Sequence, residues 1–409
     1  MNPLRRLPTR RLLAIITAVV VLGGSVTAVA VAALTGSGPI PAAKTLAAAI
    51  HDAITGQQIA GVTAQIQFTN HLVDTSSFPG AGPLLSGGAG RLWADDSGHL
   101  RLELQSSSGD TEITVGPDSF QMYNVASNTV YRGSLPKHTD KTTAGSEPAH
   151  QPPTLQSITD ELNKLMGTVG ISDAVPTDVG GAPAYKVSFS PKHDGGLLGS
   201  AELAFDAENG TPLHFAVYAQ GNTSPVIDLT ATQVSFGPVA AADVTVTPPT
   251  GAKVVELSAP AAKAGQTTGT HAHPSAVTGA AAVAAGLPFK LDAPAQLAGL
   301  PQTSVRLLTY GKKSAALVAY GQHLGAILVV EHQVETPAAP AAGTVPAAPS
   351  TPKSTSSSTG LPTVTVNGAT GTELATALGT LIRFERGGIS YIVLGSVPPA
   401  AAEAAARGL

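Results

Sequence analysis

The stretch that decides the fold is Gly88-Ala-Gly-Arg-Leu-Trp-Ala, followed by Asp95-Asp-Ser-Gly and then His99-Leu-Arg-Leu-Glu-Leu-Gln. In the last run Leu100, Leu102 and Leu104 alternate with Arg101 and Glu103. A period of two sends the leucines to one face of a strand and the charges to the other. Asp-Asp-Ser-Gly is turn chemistry, because Asp and Ser side chains bond nearby backbone and Gly accepts a left-handed conformation. The stretch therefore predicts a β-hairpin.

The pattern extends both ways. Upstream, Val62-Thr-Ala-Gln-Ile-Gln-Phe-Thr alternates. Downstream come Thr111-Glu-Ile-Thr-Val, Ser119-Phe-Gln-Met-Tyr-Asn and Thr129-Val-Tyr-Arg, separated by Ser107-Ser-Gly-Asp and Ala126-Ser-Asn. Short strands with tight turns predict one curved antiparallel sheet built hairpin by hairpin. Ahead of it, residues 42–60 read as a helix with Leu46, Ile50, Ala53 and Ile54 on one face. After a polar loop at 133–153, Leu155 to Met166 reads as a second helix, with Leu155, Ile158, Leu162 and Leu165 on one side. Strands resume over 177–190, 198–206, 212–218 and 227–236, and 243–256 reads as an extended closing segment.

Residues 257–286 are rich in Ala, Gly, Thr and Pro with no period, and read as a linker. A small C-terminal α/β domain is expected over 287–409, with strands near 305, 315, 325, 361, 382 and 389. Short helices are expected at Thr372–Leu378 and Ala400–Leu409, the latter behind Pro398-Pro399. The Pro/Ala/Ser/Thr tract 336–360 reads as an insertion that cannot build a core. The fold class is thus mainly β with helices (α+β).

The N-terminus carries Arg5, Arg6, Arg10 and Arg11 ahead of Leu12–Leu34, which holds no charged residue. That length spans a hydrocarbon core of about 30 Å, and the basic segment 1–11 favours a cytoplasmic start. The rival reading is a cleaved signal peptide, with Ala28-Val-Ala30 as a small-x-small site. Both readings place the body outside the cytoplasm, either as a single-pass protein of the cell membrane or secreted. The net charge of −4 and the absence of a basic stripe beyond the N-terminus argue against nucleic acid. With no cysteine, disulfides, thiolate metal sites and a lipobox are excluded.

Three segments, Phe120-Gln-Met-Tyr-Asn-Val-Ala-Ser-Asn-Thr-Val-Tyr-Arg, Val179-Gly-Gly-Ala-Pro-Ala-Tyr-Lys-Val-Ser-Phe-Ser-Pro-Lys and Ala204-Phe-Asp-Ala-Glu-Asn-Gly-Thr-Pro-Leu-His-Phe, come in this order behind an export segment. Together they resemble the LolA-like fold of lipoprotein carriers, sigma-factor regulators and their membrane-anchored actinobacterial relatives, over residues 42–256. The segment from Phe384 to Pro398 resembles the tail domain of some of those regulators. The resemblance implies a curved antiparallel sheet wrapped around helices, a half-open barrel whose concave apolar face takes acyl chains. It implies as partners a lipid or lipoprotein acyl chain, the cell membrane, or a membrane regulatory protein such as an anti-sigma factor. The side chains expected to line a ligand cavity are Trp93, Leu100, Leu102, Leu104, Phe120, Met122, Tyr123 and Tyr131.

Chemistry for catalysis is sparse. His271 and His273 stand in the linker, too few for a zinc site. His51-Asp52 and His193-Asp194 are chain neighbours, which point apart. No Gly-x-Ser-x-Gly elbow occurs, and Gly87-Gly-Ala-Gly lacks the Lys-Ser/Thr of a phosphate loop. The sequence therefore predicts a non-catalytic binder, carrier or envelope sensor without cofactor or metal. The alternative is a regulator that binds a membrane protein.

Overall fold

The computed structural model describes residues 38–75, 82–135, 153–257, 277–310, 313–334 and 361–409. The basic segment 1–11, the apolar segment 12–34, His271, His273 and the 336–360 tract lie outside the described residues. Among the described residues, no helix is long and apolar enough to cross a membrane.

The chain is mostly β with few helices. It divides into two compact units, Met1–Gly269 and Thr270–Leu409. The first unit opens with helix α1 (Leu46–Thr55), whose Thr45 side chain accepts from the Ala48 amide at 3.3 Å. Residues 42–60 were expected to be helical throughout. The helix stops early, at Gly56, which turns extended and lies against the Glu208 backbone with no room for a Cβ.

Then follow β1 (Gly61–Asn70), the short helix α2 (Pro83–Ser86), and the meander β2 (Gly88–Asp95), β3 (Leu100–Ser106), β4 (Gly109–Val115), β5 (Ser119–Asn124) and β6 (Thr129–Ser134). The turn between β2 and β3 is built by Asp95, whose Oδ1 accepts the amides of Ser97 and His99 at 2.9 Å each. Helix α3 (Leu155–Leu165) is capped by Thr154, which accepts from the Ser157 amide at 3.2 Å.

The second half comprises β7 (Val169–Ile171), β8 (Val175–Val179), β9 (Ala182–Pro191), β10 (Leu198–Asp206), β11 (Pro212–Ala219), β12 (Ile227–Phe236), helix α4 (Ala241–Val244) and β13 (Lys253–Leu257). All thirteen strands form one sheet in the order β13-β6-β5-β4-β3-β2-β1-β12-β11-β10-β9-β7, with β8 on β9. Every pairing is antiparallel except β13 on β6.

β9 stands three places from β12, about 14 Å on a flat sheet. Yet the β8–β9 turn reaches β12, where the Val234 amide donates to Gly180 O at 3.1 Å. The hairpin tip therefore comes back over the sheet face and closes its curl. Gly180 and Gly181 take φ of 62° and 85° to make this turn, which side chains rarely adopt. Under the tip, Val179 and Ala182 join Ala64, Ile66 and Leu104 in one core. A second core holds Ala49 of α1 with Tyr185, Val187, Phe189 and Phe205 of the sheet.

The second unit carries helix α5 (Ala280–Ala285), β14 (Gln296–Leu297), β15 (Leu300–Tyr310), β16 (Lys313–Tyr320), β17 (Ile327–Gln333), β18 (Thr363–Val366), β19 (Ala369–Thr376), β20 (Gly379–Arg386), β21 (Ile389–Gly395) and helix α6 (Pro399–Arg407). Its eight strands run β14-β15-β16-β17-β21-β20-β19-β18 and curl as an antiparallel half-barrel. One face packs on Ala402, Ala405 and Ala406 of α6.

Two expectations are corrected here. The helix expected at Thr372–Leu378 is strand β19, because Asn367-Gly368 forms a turn with φ of 47° and 84° and pairs Val366 with Ala369. The linker expected over 257–286 does not hold for 277–286. There the Gly279 amide donates to Val305 O at 2.9 Å, and α5 buries Val283 completely.

Candidate functional site

Residues in register across a sheet share a face. In the meander, Leu92 of β2, Leu102 of β3, Ile113 of β4, Met122 of β5, Tyr131 of β6 and Val255 of β13 form one row. Beside it Ala94, Leu100, Val115, Phe120, Gly133 and Leu257 form a second. Six strands at ~4.8 Å give each row a length of ~24 Å, and rows two residues apart lie ~7 Å from one another. Next comes Gly90, Leu104, Thr111, Asn124, Thr129 and Lys253.

The same face continues through Val62, Ala64, Ile66 and Phe68 of β1 to Phe236, Val234, Ala231 and Leu229 of β12. Along these three rows and their continuation the one charged residue is Lys253, at the edge. Among the described residues the floor is closed at one end and open at the other. Leu104 is 2% exposed, and Leu92 and Leu102 lean on the core under the β8–β9 hairpin. Ile113, Val115, Phe120, Met122 and Tyr131 are only half-buried and belong to none of the three core clusters.

Of the eight residues expected to line a cavity, the structure brings together Leu100, Leu102, Leu104, Phe120, Met122 and Tyr131. It places Trp93 and Tyr123 on the opposite face, where they pair with Arg101 and with Glu112 and Val130. Arg101 stacks over the Trp93 ring at 5.1 Å, bonds Glu103, and approaches Glu112 at 2.6 Å. It also donates to Asp243 O at 3.3 Å, which ties α4 to this face. Burial raises the Glu112 carboxyl above its ordinary range, against the pull of Arg101. The Tyr123 hydroxyl donates to Asn128 Oδ1 at 3.0 Å. Strands β2–β6 thus have one face of ion pairs and one without charge. Ile113, Val115 and Leu92 were not among the expected lining residues. The alternation Thr111-Glu-Ile-Thr-Val carried the signal, which becomes readable once the register is fixed.

Elsewhere in the first unit His214 Nε2 meets Asp228 Oδ2 at 3.0 Å, and the Thr230 hydroxyl donates to Asp228 Oδ1 at 2.7 Å. Burial works to raise the Asp228 carboxyl, but these bonds outweigh it and hold the group below its ordinary value. His214 is 6% exposed and its Nδ1 is buried without a hydrogen-bond partner, and the pair ties β11 to β12. His51 lies on α1 beside Asp52, whose carboxylate is held by Lys44. Among the described residues, no group of three or more His, Asp or Glu could hold a metal ion.

No protein-family model matches the sequence, and no curated protein does. Among solved structures, MucB in complex with MucA(peri) is similar at 12% identity, with 85% of this chain and 92% of that chain covered and a TM-score of 0.38. The complex structure of Pseudomonas aeruginosa MucA/MucB is similar at 12% identity, covering 88% and 96%, with a TM-score of 0.40. A putative outer membrane lipoprotein-sorting protein domain from Vibrio parahaemolyticus is similar at 11% identity, covering 49% and 95%, with a TM-score of 0.22. At these TM-scores the likenesses carry no argument about function, which rests on the geometry of this chain.

Proposed function

We propose that the first unit binds an apolar ligand, the acyl chain of a lipid or lipoprotein, on the uncharged face of β2–β6, as a non-catalytic carrier or envelope sensor on the extracytoplasmic side of the membrane. The observation that carries this reading is the β4–β6 part of the two in-register rows, where Ile113, Val115, Phe120, Met122 and Tyr131 are apolar, half-buried and outside every core cluster. A sheet face that only serves a core is sealed by a helix or a second sheet. Here, among the described residues, α1, α3 and the β8–β9 hairpin seal other parts of the sheet and leave β4–β6 partly open. Each methylene buried on such a floor contributes about 0.8 kcal/mol, so a long chain binds without any charged contact.

The test is organic extraction of the purified 35–409 body followed by mass spectrometry. A stoichiometric lipid, lost when Met122 is made charged, supports the reading. A folded protein that carries no lipid and binds none when offered vesicles sinks it, and favours the regulator of a membrane protein partner instead.

A further inference from the structure

In the second unit the segment from Leu287 to Leu297 lies across the buried face of the sheet as a strap. Leu287, Leu291 and Ala293 lean on the core, and Leu297 is 2% exposed. Gln302 pins one end, with Nε2 donating to Ala293 O at 3.0 Å and to Pro294 O at 3.2 Å, and its amide donating to Ala295 O at 2.9 Å. The middle is held by Glu331 of β17, whose Oε2 accepts the Asp292 amide at 3.0 Å. Glu331 is completely buried between Ala316 of β16 and Tyr391 of β21. Its other oxygen, Oε1, is buried with no hydrogen-bond partner, and so is the Tyr320 hydroxyl.

A carboxylate sealed in a core needs a cation or several donors, and an unpaired one is costly. The groups facing Glu331 offer little. The strap presents the Asp292 carboxylate, a like charge. β20 presents Arg386, already engaged with Asp292 at 3.2 Å and lying over the Tyr391 ring at 5.4 Å. β16 and β21 present the neutral phenols Tyr320 and Tyr391, both of whose hydroxyls are raised above ordinary by burial first. A neutral carboxylic acid suits this setting, since it carries no charge into the core and adds a donor for a buried acceptor.

We propose that Glu331 is a proton-operated clasp on the Leu287–Leu297 strap: the strap is seated while the carboxyl is protonated, and ionisation of that carboxyl loosens it. Ionisation leaves the seated strap with two carboxylates and one shared arginine, and lifting Asp292 away both separates the like charges and admits water to Glu331. Burial, with Asp292 adding to it, pushes the Glu331 carboxyl up to about 7, so the clasp operates near neutral pH.

The test is hydrogen exchange of the full chain at pH 6 and pH 8, corrected for the intrinsic change in exchange rate. A seated value of about 7 against an ordinary 4.5 makes strap opening about tenfold more frequent at pH 8 than at pH 6. The rise should be confined to peptides covering 287–297 and absent from Glu331→Gln. Equal corrected protection at both pH values, or a rise that survives in Glu331→Gln, overturns the proposal. Should that variant not fold, the carboxyl carbon shift of Glu331 in the wild-type protein decides. A titration midpoint near 7 supports the clasp, and one at the ordinary glutamate value overturns it.

Discussion

Met122 stands in the middle of the apolar row, between Ile113 and Tyr131. Gln121 precedes it and faces the other way, between Thr114 and Arg132. Met122→Glu and Gln121→Glu therefore add the same charge one residue apart, on opposite faces. A carboxylate at 122 keeps its water, and a chain lying across the floor loses contact over about four methylenes, or about 3 kcal/mol at 0.8 kcal/mol each. That is about a hundredfold weaker binding. A carboxylate at 121 lies beside exposed Arg132 and should change binding by less than about twofold. Both positions are outside the core clusters, so both variants should melt within a few degrees of wild type. The assay is displacement of a fluorescent fatty acid, with thermal melting of each variant alongside. Equal affinity in the two variants, whether both weakened or both unchanged, refutes the assignment of the ligand to this face.

Other expectations follow from the same geometry. Arg101→Ala leaves the half-buried Glu112 without its cation and should cost about 2 kcal/mol in urea unfolding, with lost exchange protection at 241–244. Thr154→Ala removes the cap of α3 and should cost about 1 kcal/mol, while Thr154→Ser retains most of it. Gly56→Ala drives a Cβ onto Glu208 O and should cost about 2 kcal/mol or more, since backbone and not a pliable side chain must yield. Asp228 has its native value below the ordinary 3.8, so its contribution is present above that pH and disappears as pH falls through the native value. Asp228→Asn should therefore destabilise the protein at pH 6, by an amount that shrinks as the pH is taken below 3.8, as read by paired thermal melts.

The meander was legible because each of its strands carries its own parity. Leu100, Leu102 and Leu104 must share a face in any extended strand, and Asp95-Asp-Ser-Gly dictates the turn before them. Tyr123 could have been separated from Met122 on the same ground, since chain neighbours in a strand point apart. Trp93 was harder, because its parity relative to Leu100 depends on how many residues the turn consumes. At 372–378 the Asn367-Gly368 dipeptide is the decisive signal, since it marks a hairpin and makes the segment a strand. The ordered start of the second unit left no period in the sequence. Its Ala-rich helix has propensity without an amphipathic stripe, and it is held by the β15 edge.

The sequence by itself determined the local elements: strand alternation, turn chemistry and a β-rich chain without thiols. Those depend on contacts within a few residues, which a linear pattern records. Only the tertiary structure decided which rows align, which face closes under the β8–β9 hairpin, and which stays open along β4–β6. Register sums the parity of every turn between strands, and one added or missing residue exchanges the two faces. The burial of Glu331 is of the same kind. Nothing next to it in the chain distinguishes it from a surface glutamate, and its environment is assembled from the strap, β16, β20 and β21, which meet only in the folded chain.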